Sequence, residues 1–139
     1  MRVRRVDQLD KLTILLADDH RPFLKVVEGL LIPVYDVVGR VPDGQALIRA
    51  ARLLKPDIIL MDISMPILNG IDASKELNES GCPAKIVFLT AHSDIDFVCA
   101  CIGTGALGFV IKSRMTIDLL PALKEAAAGR IFISPLNHE

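Results

Sequence analysis

Five polar side chains stand where short apolar runs end. Asp18 and Asp19 follow TILLA (Thr13 to Ala17), Asp62 follows IILM (Ile58 to Met61), Thr90 closes KIVFLT (Lys85 to Thr90) and Lys112 follows GFVI (Gly108 to Ile111). Carboxylates, a hydroxyl and an ammonium group are the parts needed to accept a phosphoryl group and neutralise it. Taken singly, each Asp is a residue that turns and helix caps also use. Brought together, three carboxylates repel one another, and a hard divalent cation removes the conflict. Mg2+ suits the set, because it prefers oxygen ligands, keeps several waters and uses one or two carboxylates plus phosphate oxygens. Asp19 and Asp62 would ligate it directly, with Asp18 close by or acting through water. A phosphoryl group on Asp62 would still carry uncovered negative charge, which Lys112 can pair with and to which Thr90 can donate a hydrogen bond. In-line transfer to a carboxylate asks the protein for positioning and charge neutralisation, and these residues supply both. No Gly-x-x-x-x-Gly-Lys-Ser/Thr loop is present, so nucleotide binding is unsupported.

The elements that must hold these groups are legible in the hydrophobic pattern. Short, nearly continuous apolar runs alternate with longer stretches at helical spacing, as buried parallel strands and their crossover helices do. Strands are predicted at Thr13 to Ala17, Tyr35 to Val41, Ile58 to Met61, Lys85 to Thr90 and Gly108 to Ile111. Helices are predicted at about Arg21 to Leu31, Gly44 to Leu54, Asn69 to Ser80, Ser93 to Ile102 and Asp118 to Ala128. Lys55-Pro56-Asp57 and Gly81-Cys82-Pro83 punctuate helix ends, and Gly129 stands where a C-cap glycine would. With Asp118 as its start, the last helix holds Pro121 in its first turn, where a proline costs no bond; an earlier start predicts a kink. The outcome is an α/β, flavodoxin-like, doubly wound sheet of five parallel strands in the order 2-1-3-4-5 with five helices. Such sheets bind ligands at the carboxyl ends of their strands, beside the switch point between the first and third.

The bulk properties bound the class. A chain of 139 residues is one domain, able to bury roughly 68% of its unfolded surface. Sixteen Lys and Arg against 17 Asp and Glu give a net charge of −1 and no basic field for direct DNA binding. No apolar stretch suits export or membrane insertion, so the chain reads as soluble and cytoplasmic, without membrane contact. Cys82, Cys99 and Cys101 read as reduced thiols, since no partner ligands for a metal stand at suitable spacing.

LLADDH at Leu15 to His20, MDISMPILNG at Met61 to Gly70, LTAHS at Leu89 to Ser93 and GFVIKS at Gly108 to Ser113 together resemble the receiver domains of two-component response regulators. The resemblance covers about residues 12 to 130, with 1 to 11 as an N-terminal extension and 131 to 139 as a linker or tail. It implies that Asp62 takes a phosphoryl group from a sensor histidine kinase. It implies that Asp18, Asp19, Asp62 and the Ser64 carbonyl hold Mg2+, and that Thr90 and Lys112 bind the phosphoryl group. Phe109 stands at the position of the switch aromatic. Thr90 would move toward the phosphate and let Phe109 turn inward, remodelling the surface of the fourth helix, fifth strand and fifth helix, with homodimerisation a possible consequence. By the same analogy Ser64 and His92, each two residues past a site residue, tune the rate of phosphate loss; as plain loop and surface residues they would need no role. One departure is Ser113, where the family has a proline joined by a cis peptide. AAAGRIFISP resembles the exit from receivers that lead into a LuxR-type helix-turn-helix output domain. Contact with DNA would need such a domain, absent here, so the sequence reads as an excised receiver or a stand-alone one. The chemistry implied is self-catalysed phosphorylation and slow autodephosphorylation, not metabolic catalysis. A haloacid-dehalogenase-like enzyme would want Asp-x-Asp after the first strand, where Asp18-Asp19-His20 stands, and a binding-only pseudo-receiver would lack one of the site residues.

Overall fold

The computed structural model describes residues 11–136. The proposed N-terminal extension lies almost wholly outside them. The order is β1 (Thr13–Ala17), α1 (Arg21–Leu31), β2 (Asp36–Val41), α2 (Gly44–Leu54), β3 (Ile58–Met61), α3 (Gly70–Glu79), β4 (Lys85–Thr90), α4 (Ile95–Gly103), β5 (Gly108–Ile111), a single 3-10 turn (Lys112–Arg114), α5 (Met115–Ala127) and β6 (Phe132–Ile133). All strand pairings are parallel, in the order β2-β1-β3-β4-β5-β6. The sheet is thus the expected one with an added strand, drawn from the segment read as the start of a linker.

β3 and β5 are buried along their whole length, so their apolar residues serve two cores at once. Leu15, Ile59, Met61, Phe88 and Phe109 point to the layer holding Leu47, Ala51, Leu77, Val98 and Cys101. Ile14, Leu16, Leu60, Val87 and Val110, one step out of phase, point to the layer holding Leu24, Val27, Leu31, Leu119 and Leu123. The period of two in each strand divides one sequence run between the faces. β2 is an edge and only partly buried.

The helices start where local chemistry directs. His20, Asp43 and Asn69 cap α1, α2 and α3, each side chain accepting a backbone N–H of the first turn. α5 departs from expectation, beginning at Met115 with Pro121 in its interior. Pro121 cannot donate to the carbonyl of Ile117, yet burial of Leu119, Ala122, Leu123 and Ala126 on the same face outweighs the lost bond. Lys112–Ser113 is trans, as is every other peptide bond among the described residues. Cys99 is exposed and Cys101 buried on the same helix, so the two thiols diverge, and burial pushes Cys101 up to about 12.

Candidate phosphoacceptor site

Strand register fixes the site. Ala17 pairs with Met61 and Thr90 with Ile111, so the residues that follow emerge side by side at the carboxyl edge of the sheet. Backbone bonds continue the ladder past the strand ends: Asp18 N–H donates to the Val41 carbonyl at 3.1 Å and Asp62 N–H to the Ala17 carbonyl at 3.0 Å. Both carboxylates are thereby held near the switch point, and both residues are buried, at 3% and 8% exposure.

Lys112 reaches across from β5 and ties them together. Its Nζ donates to Asp18 Oδ2 at 2.9 Å and to Asp62 Oδ2 at 3.0 Å, and stands 4.2 Å from the centre of the Phe23 ring. Burial by itself would pull the Lys112 pKa down, but the bonds and charges of Asp18 and Asp62 outweigh it and hold it above the usual lysine range. The remaining carboxylate oxygens are also engaged: Asp18 Oδ1 accepts His20 N–H at 2.9 Å and Asp62 Oδ1 accepts Ile63 N–H at 2.7 Å. Lys112, expected to bind a phosphoryl oxygen, neutralises the acidic pair in this structure.

The loop that follows Asp62 lines a groove of about 670 Å3, bordered by Asp19, Ile63, Ser64, Met65, His92 and Phe97. Asp19 is exposed and bonds no described donor. The hydroxyl of Thr90, fully buried, accepts the His92 N–H at 3.3 Å. Ser64 Oγ and His92 Nε2, of the two residues read as rate tuners, lie 3.1 Å apart. Phe109 is also fully buried, packed in the layer under α4, so its ring is already inward in this structure.

The donors offered to a cation are all oxygens, which fits Mg2+. Among the described residues no three acidic, His or Cys side chains form a ready-made cage. A Mg2+ site does not demand one, since the ion keeps waters and uses one or two carboxylates. The set therefore fits Mg2+ in donor type.

The family model for the response regulator receiver domain matches residues 14–124. The chain is a receiver domain of the response regulator family. It is similar to the nitrate/nitrite response regulator protein NarL of Escherichia coli, 38% identical over 125 residues, which are 88% of this chain and 57% of that protein. It is also similar to the transcriptional regulatory protein DegU of Brevibacillus brevis, 34% identical over 128 residues, 91% of this chain and 54% of that one. The receiver thus spans little more than half the length of these relatives. Among solved structures it resembles a LuxR-family response regulator from Aurantimonas sp., with TM-score 0.85, 31% identity and coverage of 90% of this chain and 91% of that one. The isolated receiver domain of RcsB from Salmonella enterica, in the presence of phosphomimetic BeF3−, superposes with TM-score 0.81 at 26% identity, covering 88% and 93%. No helix among the described residues of the receiver is long and apolar enough to cross a membrane.

A buried network at the far side of β5 was not foreseen. Ser134 Oγ donates to Asp118 Oδ2 at 2.7 Å and accepts Ile111 N–H at 3.1 Å, while Ser134 N–H donates to the Phe109 carbonyl at 2.8 Å. Arg114 Nε donates to the same Asp118 Oδ2 at 2.7 Å. The Arg114 bond holds Asp118 below the usual carboxylate range, with burial opposing and Ser134 assisting. Arg114 and Asp118 stand four residues apart, a spacing legible in sequence; Ser134 carried no such signal.

Proposed function

We propose that this receiver is a phosphoacceptor switch in a two-component phosphorelay, with Asp62 as the acceptor. The observation that carries the reading is the Lys112 ammonium bonded to both Asp18 and Asp62, beside the groove that Asp19 and Ser64 border. An Asp62 carboxylate oxygen attacks the phosphorus of a phosphohistidine or an acyl phosphate. A new P–O bond forms, the donor's P–N or P–O bond breaks, and the electron pair leaves with the donor. Lys112 is already within reach to follow the charge from the carboxylate to a phosphoryl oxygen. The Thr90 hydroxyl can turn from the His92 N–H and donate to another. Asp18, Asp19, Asp62 and the Ser64 carbonyl would hold Mg2+, which when bound supplies charge neutralisation of the transferring group.

The phosphodonor is a sensor histidine kinase, consistent with membership of the family. Loss of the Thr90 to His92 bond and redirection of Lys112 would alter the surface of α4, β5 and α5, where homodimerisation or output contacts would respond. The names of the relatives support control of transcription, exercised through a DNA-binding segment rather than through this nearly neutral domain. Incubation with acetyl phosphate, read by intact mass, tests the cation requirement. One phosphoryl group is expected with Mg2+ and none with excess EDTA; equal uptake in both would contradict the metal's role.

A further inference from the structure

His92 is held from three directions. Its ring nitrogen Nε2 meets Ser64 Oγ at 3.1 Å, its backbone N–H donates to Thr90 Oγ1 at 3.3 Å, and its ring stacks on Phe97 with centroids 4.1 Å apart and planes 25° from parallel. Ser64 is exposed and His92 only half-buried, so a single hydrogen bond between them competes with water and does little to fix the ring. The stack supplies the missing restraint. Phe97 lies in the first turn of α4, half-buried, with its ring on the wall of the same groove. The ring pair and the Ser64 contact together span the groove mouth, joining the loop after β3, the loop after β4 and the start of α4.

The geometry points to Phe97 as a positioning residue for dephosphorylation: by stacking on His92 it holds the imidazole against Ser64, across the approach of water to a phosphoryl group on Asp62. The inference rests on Asp62 being the acceptor. In the hydrolysis, a water oxygen attacks phosphorus, the P–O bond to the Asp62 carboxyl breaks and its electron pair returns to the carboxylate. The water proton passes to solvent, and inorganic phosphate leaves. A held imidazole narrows the solid angle from which that water can come. Phe97 touches neither phosphorus nor water, so its influence runs entirely through His92.

The test loads wild type, Phe97→Leu, Phe97→Tyr, His92→Ala and the His92→Ala/Phe97→Leu double variant with acetyl phosphate and Mg2+, removes the donor, and follows loss of phosphate by intact mass. Leucine keeps apolar bulk on α4 and removes the ring face. Phosphate loss in Phe97→Leu should be roughly twofold to tenfold faster than in wild type, the worth of one aromatic pair. Phe97→Tyr should decay as wild type does, and Phe97→Leu should add nothing in the His92→Ala background. A wild-type decay rate in Phe97→Leu, or the same acceleration with and without His92, overturns the inference while leaving Asp62 as acceptor. If wild type itself takes up no phosphate, the acceptor reading falls, and this inference with it.

Discussion

Gly70 opens α3 beside Asp62, the proposed acceptor, its N–H donating to the Ile63 carbonyl at 2.7 Å. A Cβ there would lie 2.0 Å from the Asp62 carbonyl oxygen, a backbone atom that cannot step aside alone. Gly70→Ala is therefore expected to displace the loop carrying Asp62 and to cost about 1–3 kcal/mol, measured by urea denaturation; an unchanged midpoint would contradict the close approach. Ile67, in the same loop, has φ of 70° and is 74% exposed, so a β-branched residue bears left-handed strain for little burial. Ile67→Asn should raise stability by roughly 1 kcal/mol in the same assay, because Asn tolerates that conformation. The placement of Asp18, Asp62, Thr90 and Lys112 was legible from sequence because each closes or directly follows the apolar run of a buried strand. The bonding among them was not. Side-chain pairing between residues 50 and 94 positions apart, as in the Lys112 bridge to Asp62 and Asp18, leaves no local pattern to read.

The elements divide in the same way. All five longer strands were legible from apolar runs whose length and punctuation point to a parallel sheet. β6 was not, because two residues are too few for any periodicity, and the strand exists only through its pairing with the edge of β5. The start of α5 was misplaced because Pro121 resembles a first-turn residue, whereas packing of the helix under the sheet tolerates it inside. Ser134 joins β5, α5 and the segment after β6 through bonds to Ile111 N–H and Asp118. Ser134→Ala would leave a buried N–H and a buried carboxylate each short of a partner. A loss of about 1–3 kcal/mol is expected. Faster hydrogen exchange at Ile111 should accompany it, and unchanged protection there would show that the serine is incidental.

For the molecule as a whole, the ion pairs of Asp118 with Arg114 and of Lys112 with Asp18 and Asp62 bear on the pH range of stability. Asp118 has a depressed folded-state pKa, so its contribution is present above the ordinary value of 3.8 and is lost as pH falls through the lower folded value. Lys112 has a raised one, so its contribution is complete below 10.5 and is lost as pH climbs through the higher folded value. Urea unfolding across pH should show the acid loss reduced in Asp118→Asn and the alkaline loss reduced in Lys112→Met; identical profiles in variant and wild type would dissociate these pairs from folding. Between the two limits the sheet would present Asp62, held at the switch point, to the proposed phosphodonor. The most direct measurement is the intact mass of wild type and Asp62→Asn after incubation with acetyl phosphate and Mg2+. Wild type should gain one phosphoryl group and Asp62→Asn none; equal gain in both, or none in either, would contradict Asp62 as the acceptor.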